Sequence, residues 1–324
     1  MAEPLRLAIL STARINRRIV PAARETDLVD VVAVASRERG RAEEHAREHG
    51  IGRVHASYGA LLADPDIDAV YIPLPNSLHV EWTRRALEAG KHVLCEKPLT
   101  DRPEDAEALF AVAVREGLVL AEAFMYRHNP QTRRLEQLVR DGAIGPPQVL
   151  RASFSFRVEG EANIRLVPEL GGGSVLDLGC YCVSGARLLA GEPETVFAQQ
   201  VLGPTGVDDL FTAVLAFPGG VHALVDCGLR VPFRATLEAV GPEGSLFVDD
   251  PWLCSSPGIE LRRGAEVEHI AVEAADSYVL ELEDFARAAA GEREPLLGRA
   301  DAVGQARALG ALRRSAADGV PVRV

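Results

Sequence analysis

Lysine is almost absent from this chain of 324 residues. Lys91 and Lys97 are the only lysines among 35 basic side chains, and the other 33 are arginines. Arginine stays charged and presents a planar fork, whereas lysine is compact and its pKa shifts readily on burial. A chain that uses arginine almost everywhere should keep lysine where a guanidinium cannot replace it. Lys97 is therefore a candidate catalytic group, and the sequence assigns no role to Lys91.

The chain also lacks an excess of positive charge, a long apolar run and a metal-binding cysteine pattern. Its 47 acidic side chains give a net charge of −12, which argues against a nucleic-acid surface. No apolar run approaches the roughly 20 residues of a membrane-spanning helix, and the first residues do not resemble a signal peptide. No second pair completes a zinc site with Cys180 and Cys182, and the odd number of five cysteines predicts reduced thiols. We therefore expect a cytoplasmic protein with no metal, membrane or nucleic-acid partner.

The first 125 residues alternate short apolar segments with helical ones. Strands are predicted at residues 5–10, 29–35, 69–73, 91–95 and 118–123. Strand–helix alternation at this spacing is typical of parallel βαβ units with helices on both faces of the sheet. We predict an α/β fold whose residues 1–125 form a doubly wound, Rossmann-type domain that binds the cofactor.

Residues 126–324 contain longer strands joined by turn residues. Six strands are predicted between residues 148 and 248, and helices at residues 131–141, 184–190, 277–290 and 299–317. This pattern predicts a second α/β domain with a large, mostly antiparallel open sheet. Because few helices remain to cover such a sheet, we expect a partner subunit on its open face.

The turn after the first strand is a candidate cofactor site, because ligands of an open parallel sheet bind at the carboxyl ends of its strands. The residues of this turn are Ser11, Thr12, Ala13, Arg14 and Ile15. They take the place of a glycine-rich dinucleotide fingerprint but lack its glycines, so the motif itself fails. Small side chains still let a backbone approach a pyrophosphate at a helix N-terminus. The turn predicts a cofactor contact, with an ordinary βα turn as the alternative.

The end of the second strand favours NADP over NAD. An acidic residue at this point binds a ribose hydroxyl of NAD, whereas an arginine accommodates the 2′-phosphate of NADP. The strand ends at Ser36 and Arg37 without a carboxylate, and Arg39 and Arg41 follow. NADP is the predicted cofactor and NAD the second candidate. A solvated basic face is the alternative interpretation of these charges.

Four separated motifs resemble those of the Gfo/Idh/MocA oxidoreductase family. They are, in chain order, residues 72–79 (IPLPNSLH), 90–99 (GKHVLCEKPL), 122–131 (EAFMYRHNPQ) and 171–181 (GGGSVLDLGCY). The similarity continues to residues 280–285 (LELEDF) near the end of the chain. Many members have a histidine where this chain has Tyr181, and a tyrosine is similar to the branch that contains dihydrodiol dehydrogenase, NADP-dependent xylose dehydrogenase and glucose–fructose oxidoreductase. The missing glycines of the first turn depart from the family pattern.

The resemblance implies an enzyme that moves a hydride between a nicotinamide and a carbon of a sugar or a related polyol or diol. It implies that residues 1–125 bind the dinucleotide, and that residues 126–324 bind the substrate and form a homodimer or homotetramer through the open sheet. It implies that Lys97 lies beside the reacting hydroxyl and that the bond between Lys97 and Pro98 is cis. It also extends the predicted cofactor contacts beyond the first turn and the second strand. These further contacts are Leu74, Pro75, Asn76, His79, Glu96, Lys97 and Arg165. A structural role is the alternative for His79, and a contact with the sugar is the alternative for Arg165.

Lys97, Tyr181 and Asp177 form the predicted catalytic set. Oxidation of an alcohol needs a base for the hydroxyl proton, and a tyrosine with a pKa near ~10 becomes a better base beside a lysine ammonium. Asp177 is predicted to accept a substrate hydroxyl or to orient Lys97, with a helix N-cap as the alternative. For Tyr181 the alternative is an ordinary interior tyrosine. Tyr126 and His128 complete the predicted substrate contacts.

A catalytically silent NADP-binding sensor or regulatory partner of the same fold is the alternative function. The intact set of Lys97, Asp177 and Tyr181 argues against it, because a silent relative has no chemical need for these groups. The sequence does not identify the sugar. We expect its specificity to depend on the loops at residues 158–168 and 230–234.

Overall fold

The structure, a computed structural model, describes residues 3–160 and 163–324, and the chain divides into two compact units. The first unit comprises the chain up to Thr100, Glu104–Met125 and Tyr278–Val303. The second comprises Asp101–Pro103, Tyr126–Ser277 and Gly304–Val324. The assignment of residues 1–125 to the cofactor and 126–324 to the substrate stays a prediction, and the structure adds a segment near the C-terminus to the first unit.

A six-stranded parallel sheet forms the centre of the first unit. Its strands are β1 (Leu5–Leu10), β2 (Val29–Ala35), β3 (Arg53–His55), β4 (Ala69–Ile72), β5 (His92–Glu96) and β6 (Leu120–Ala123). Their spatial order is β3-β2-β1-β4-β5-β6, so the strand order reverses between β1 and β4. In such a sheet, ligands bind outside the carboxyl ends of the strands at this reversal.

A nine-stranded sheet forms the centre of the second unit. Its strands are β7 (Val149–Ser155), β8 (Thr195–Leu202), β9 (Asp208–Ala216), β10 (His222–Gly228), β11 (Arg234–Gly241), β12 (Gly244–Asp249), β13 (Ile259–Arg263), β14 (Glu266–Ile270) and β15 (Val322–Arg323). Their order is β14-β13-β12-β11-β7-β10-β9-β8-β15. The pair β7–β10 is parallel and the other pairs are antiparallel.

Nine α-helices lie in the described part of the chain. They are α1 (Asn16–Ala23), α2 (Arg39–His49), α3 (Tyr58–Leu62), α4 (His79–Glu88), α5 (Pro103–Glu116), α6 (Pro130–Arg140), α7 (Cys180–Ala190), α8 (Ser277–Ala289) and α9 (Arg299–Asp318). None of them combines the length and the apolar character needed to cross a membrane.

The two sheets differ in whether both of their faces are covered by other parts of the chain. Every residue of β4 is fully buried, and separate apolar clusters pack on the two faces of the parallel sheet. In the second unit, α7 packs on β7, β10 and β11. The opposite face of that sheet exposes Phe197, Val214 and Leu224.

The predicted fold class is confirmed: a doubly wound parallel sheet and a second α/β unit with a mostly antiparallel sheet. The prediction missed β3 and α3, which are only three and five residues long. It also missed β13 and β14, whose sequences IELRR and EVEHI are rich in charge. Segments this short or this polar carry little hydrophobic periodicity.

Lys91 has a structural role. Its side chain is buried, and the ammonium donates to the carbonyls of Asp64 and Ile67, both at 2.7 Å. Burial lowers the pKa of Lys91. The lysine thus holds the chain between α3 and β4 in place.

Candidate active site

The turn after β1 keeps a glycine-like backbone although it contains no glycine. Ser11 has a φ of 143°, in the region that favours glycine. Its hydroxyl donates to the carbonyl of Pro73 at 3.1 Å and accepts the amide of Ala13 at 3.2 Å. The side chain of Ser11 therefore stabilises a conformation that the usual fingerprint obtains from glycine, and ties the turn to the end of β4.

The start of α1 lies directly after this turn. Its N-cap residue, Ile15, makes no side-chain hydrogen bond to the helix. The amides of Asn16, Arg17 and Arg18 donate to the carbonyls of Ala13, Arg14 and Ile15 at 2.8–3.2 Å, so it is the helix dipole that favours an anion here. The fully buried Asn16 donates to the carbonyl of Ser11 at 2.9 Å and so fixes the helix to the turn. Thr12, Ala13 and Arg14 of the turn are partly or fully exposed.

The end of β2 carries positive charge, as predicted. Ser36 is buried, and Arg37 and Arg41 are exposed. Both arginines lower the pKa of Tyr58, although burial raises it more strongly, so both guanidiniums lie near that phenol. Arg39 pairs with Glu43 at 2.8 Å, and Arg41 has a looser ion pair with Glu38 at 3.8 Å. Arg37 and Arg41, which approach the same phenol, are the arginines of this region that fit a 2′-phosphate.

Lys97 follows β5 at the carboxyl edge of the parallel sheet, and its bond to Pro98 is cis, as expected. Two buried side chains hold the backbone after it. A ring nitrogen of His79 lies 2.8 Å from the carbonyl of Pro98, and Glu122 accepts the amide of Leu99 at 2.8 Å. His79 and Glu122 therefore position the turn that presents Lys97.

The other predicted cofactor residues of the first unit follow β4 or end β5. Leu74 is buried, and Pro75 and Asn76 are partly exposed. His79 is fully buried, and its second ring nitrogen lies 2.8 Å from the carbonyl of Leu74. Its contacts are with the protein backbone, and burial lowers its pKa. Glu96 accepts a hydrogen bond of 2.5 Å from Tyr71, whose pKa is raised by burial and by the charge of Glu96.

In the second unit, Asp177 and Tyr181 lie one turn apart. Asp177 is inside a π-helical segment, Val175–Gly179, and Tyr181 is in the first turn of α7. Asp177 is therefore not the N-cap of α7. Single π-helical turns inside α-helices are frequent at functional sites.

Arg165 forms an ion pair with Asp177. Its Nε lies 2.5 Å from Oδ2 of the aspartate, and its guanidinium lies 5.5 Å from the centre of the Phe156 ring. Backbone hydrogen bonds join the same two residues through Gly173, which donates to Arg165 at 2.9 Å and accepts from Asp177 at 3.2 Å. Arg165, predicted as a cofactor contact, thus also orients Asp177.

Asp208, a residue that was not predicted from the sequence, anchors the start of the π-helical segment. Its buried carboxylate accepts the hydroxyl of Ser174 at 2.6 Å and the amide of Val175 at 2.8 Å. A side chain at Gly173 would collide with this carboxylate, and one at Gly172 with the carbonyl of Arg165. The glycine run before Asp177 was the available sequence signal, because it indicates a close approach of other groups.

Tyr181 lies in an aromatic cluster. Its ring centre is 5.4 Å from that of Phe154, 5.7 Å from Tyr126 and 6.1 Å from Trp252. Tyr126 is fully buried and donates its hydroxyl to Ser184 at 2.7 Å. His128 is also buried. These contacts fix the ring of Tyr181, and direct substrate contacts for Tyr126 and His128 stay predictions.

The structure brings together two groups of predicted residues, each within its own unit. The turn at residues 11–15, the end of β2 and the strand end with Lys97 share the carboxyl edge of the parallel sheet. Asp177, Tyr181 and Arg165 form the second group. Of the loop at residues 158–168, which we expect to determine specificity, residues 161 and 162 lie outside the described residues.

Two family profiles match this chain, one in each half. The profile of the "Oxidoreductase family, NAD-binding Rossmann fold" (GFO_IDH_MocA) matches residues 5–124, and that of the "GFO/IDH/MocA C-terminal domain" matches residues 132–247. The chain belongs to the Gfo/Idh/MocA oxidoreductase family. The predicted family is thereby confirmed, and with it the prediction of an oxidoreductase with a nicotinamide dinucleotide cofactor.

Individual relatives span most of the chain. D-xylose 1-dehydrogenase (NADP(+)) 2 of Haloferax volcanii is 38% identical over 324 residues, covering 98% of each protein. Trans-1,2-dihydrobenzene-1,2-diol dehydrogenase of Oryctolagus cuniculus is 37% identical, covering 69% of this chain and 68% of the relative. A 3-ketoreductase from Actinomadura kijaniata, solved with NADP and TDP-benzene, superposes with a TM-score of 0.92 at 35% identity, covering 96% of this chain and 98% of that one.

Proposed function

We propose that this protein is an NADP-dependent oxidoreductase that transfers a hydride between the nicotinamide and a carbon of a sugar or a related polyol or diol. The observation that carries the proposal is the placement of Lys97 at the same sheet edge as the glycine-like turn at Ser11 and the arginines after β2. The relatives support both the proposed substrate class and the proposed cofactor. They act on a sugar, a diol or a keto group, and two of them are named or solved with NADP.

The residues of the first unit fit the phosphates of NADP. The small, partly exposed residues of the turn and the positive end of the α1 dipole suit the pyrophosphate, and Arg37 and Arg41 suit the 2′-phosphate. NADP, when bound, supplies or accepts the hydride. The protein must then bind the alcohol and carry its proton.

We assign the proton of the reacting hydroxyl to Tyr181 and the stabilising positive charge to Lys97. An ammonium favours the phenolate form of a tyrosine and so lowers its pKa. Asp177, oriented by Arg165, is assigned to a second hydroxyl of the substrate. Solved forms of the Actinomadura ketoreductase include variants with one lysine or one tyrosine replaced, the same residue types as this pair.

A survey of sugars and vicinal diols with NADP tests the proposal. We expect at least one of them to increase the absorbance of reduced nicotinamide, and NADP to be preferred over NAD. If NADP binds but no sugar or diol turns over in either direction, the catalytically silent alternative replaces the proposal. If NADP does not bind, the proposal and the catalytically silent alternative are both wrong.

We also propose that a second copy of the chain covers the open face of the nine-stranded sheet. Phe197, Val214 and Leu224 are exposed there, and the ion pair of Arg151 with Glu238 at 3.4 Å lies beside them. A face with an apolar centre and charges of both signs is compatible with a two-fold interface. Light scattering should give a dimer or tetramer, and Leu224→Asp should yield smaller species; an unchanged size would contradict the interface.

A cytoplasmic location remains part of the proposal. All five cysteines are free, and four of them are buried. Free thiols are typical of proteins in a reducing compartment.

A further inference from the structure

Helix α2 presents three potential metal ligands on one face. His45, Glu48 and His49 occupy positions i, i+3 and i+4, which lie side by side on a helix. One ligand atom of each lies within 4.8 Å of the other two. The two imidazole centres are 4.3 Å apart, and their planes are tilted by 54°. Helices present ligands to metals with this spacing, two histidines four residues apart among them.

The surroundings of His45 suit a metal ligand. The side chain is buried, and its Nε2 atom lies 3.0 Å from the side-chain amide of Asn16. A histidine that binds a metal through one ring nitrogen keeps a second contact through the other.

Two buried polar atoms without a hydrogen-bond partner lie at this point. Nε2 of His49 is buried and has no hydrogen-bond partner. Oδ1 of Asn16 is likewise buried without a partner, and Nδ2 of the same residue lies 3.0 Å from Nε2 of His45. A buried polar atom without a partner costs free energy, and native structures seldom retain one without a reason. A cation would satisfy the lone pair of His49.

We propose that His45, Glu48 and His49 bind a divalent transition-metal ion. Two imidazole nitrogens and one carboxylate oxygen suit zinc, cobalt or nickel better than magnesium or calcium, which prefer oxygen ligands. A fourth position is left for water. Glu48 lies 3.6 Å from Arg17, and both side chains are about half exposed. Breaking an exposed ion pair of this kind, so that Glu48 can bind the metal, costs little free energy.

The proposed metal site adjoins the turn after β1. Asn16 links the two, because its Nδ2 group contacts both His45 and the carbonyl of Ser11. A bound ion would hold the three ligand side chains of α2 in one arrangement beside this contact. Since the three ligands come together only in the folded chain, the metal should stabilise the fold.

Titration of tag-free, chelator-treated protein with zinc against a chromophoric zinc indicator tests the proposal. We expect one ion per chain and, in His49→Gln, binding weakened by at least about tenfold, because even losing a supporting residue costs a site that much. Glu48→Gln should bind with intermediate affinity. The matched controls are His222→Gln and His269→Gln, which replace exposed histidines of the second unit. They should bind zinc like the unchanged protein.

Two further measurements separate this site from other binding. Zinc should raise the melting temperature of the unchanged protein and of both controls but not of His49→Gln. Bound cobalt should show the visible absorption of a nitrogen–oxygen site. A thiolate charge-transfer band, equal affinity in His49→Gln, or no binding by the unchanged protein would overturn the proposal. His45 is buried, so His45→Gln can fail to fold, and the decision rests on His49→Gln.

Discussion

Nε of Arg165 lies 2.5 Å from Oδ2 of Asp177, and Gly173 joins the backbones of the same two residues. The pair connects the short 3₁₀ helix Ile164–Leu166 to the π-helical turn that precedes Tyr181. Because the guanidinium both neutralises and orients the carboxylate, Asp177 has a fixed direction before any substrate is bound. Fixed direction of polar groups is a main source of catalytic efficiency.

The first prediction concerns this ion pair. Arg165→Ala should lower kcat/KM for the sugar or diol by about 10–100-fold, the scale of a misplaced catalytic group. Arg157→Ala, an exposed arginine of the neighbouring loop, is the control and should be near neutral. Steady-state kinetics at saturating NADP measure both. Equal kinetics for the two variants would show that the Arg165–Asp177 pair does not orient the substrate.

A second prediction concerns Asp208. Asp208→Ala removes the partner of Ser174 and Val175, and unpaired buried groups cost about 1–3 kcal/mol of unfolding free energy. The π-helical turn should also move, so kcat should fall while the affinity for NADP is kept. Asp208→Asn retains an oxygen acceptor and should recover much of the kcat. A loss of stability with unchanged kcat would mean that Asp208 supports the fold alone.

The cofactor prediction compares three arginines. Arg37→Ala and Arg41→Ala should each weaken NADP binding by about 10–100-fold, since a hydrogen bond between charged groups contributes about 1.5–3 kcal/mol. Binding of NAD should hardly change. Arg39→Ala is the control, because Arg39 is held at 2.8 Å by Glu43, whereas Arg41 lies 3.8 Å from Glu38. Fluorescence titrations with both dinucleotides distinguish the cases, and equal losses for NADP and NAD would contradict a 2′-phosphate site.

Glu281 gives a prediction for pH. This carboxyl is buried, and burial, followed by the charges of Glu96 and Asp284, raises its pKa well above the ordinary value of 4.5. Above pH 4.5, Glu281 loses its proton in the unfolded chain but keeps it in the folded chain. The contribution of Glu281 to the free energy of unfolding should therefore be greatest below about pH 4.5, and it should be lost as the pH rises through the pKa of the folded state.

Glu281→Gln should remove this dependence and stabilise the protein at neutral pH. Urea unfolding at several pH values measures it, with the exposed Glu294→Gln as the control. Parallel pH profiles for the two variants would show that Glu281 is ionised in the folded protein.

The fold could be predicted from the sequence wherever hydrophobic periodicity is strong. The alternation of buried strands and helices gave the parallel sheet, and Gly90, with φ of 76°, ends a helical region as expected. Lys97 and Tyr181 could be selected because their motifs are specific. The roles of Lys91 and Asp208 could not be predicted, because they depend on hydrogen bonds to residues 24 to 34 positions away in the chain. The histidines of α2 could not be predicted as ligands from cysteine spacing, and their neighbour Asn16 lies 29 residues from His45 in the chain.

The two lysines provide the most direct test of the central claim, that Lys97 acts in catalysis. Lys97→Arg keeps the positive charge but replaces the compact ammonium, and we predict that kcat falls at least about 100-fold, in the range of acid–base contributions, with NADP affinity retained. Lys91→Arg, at a buried structural position, should lower the melting temperature and leave the kcat of the folded enzyme unchanged. The deciding measurement is kcat of Lys97→Arg with its best sugar or diol. A wild-type value would contradict the account.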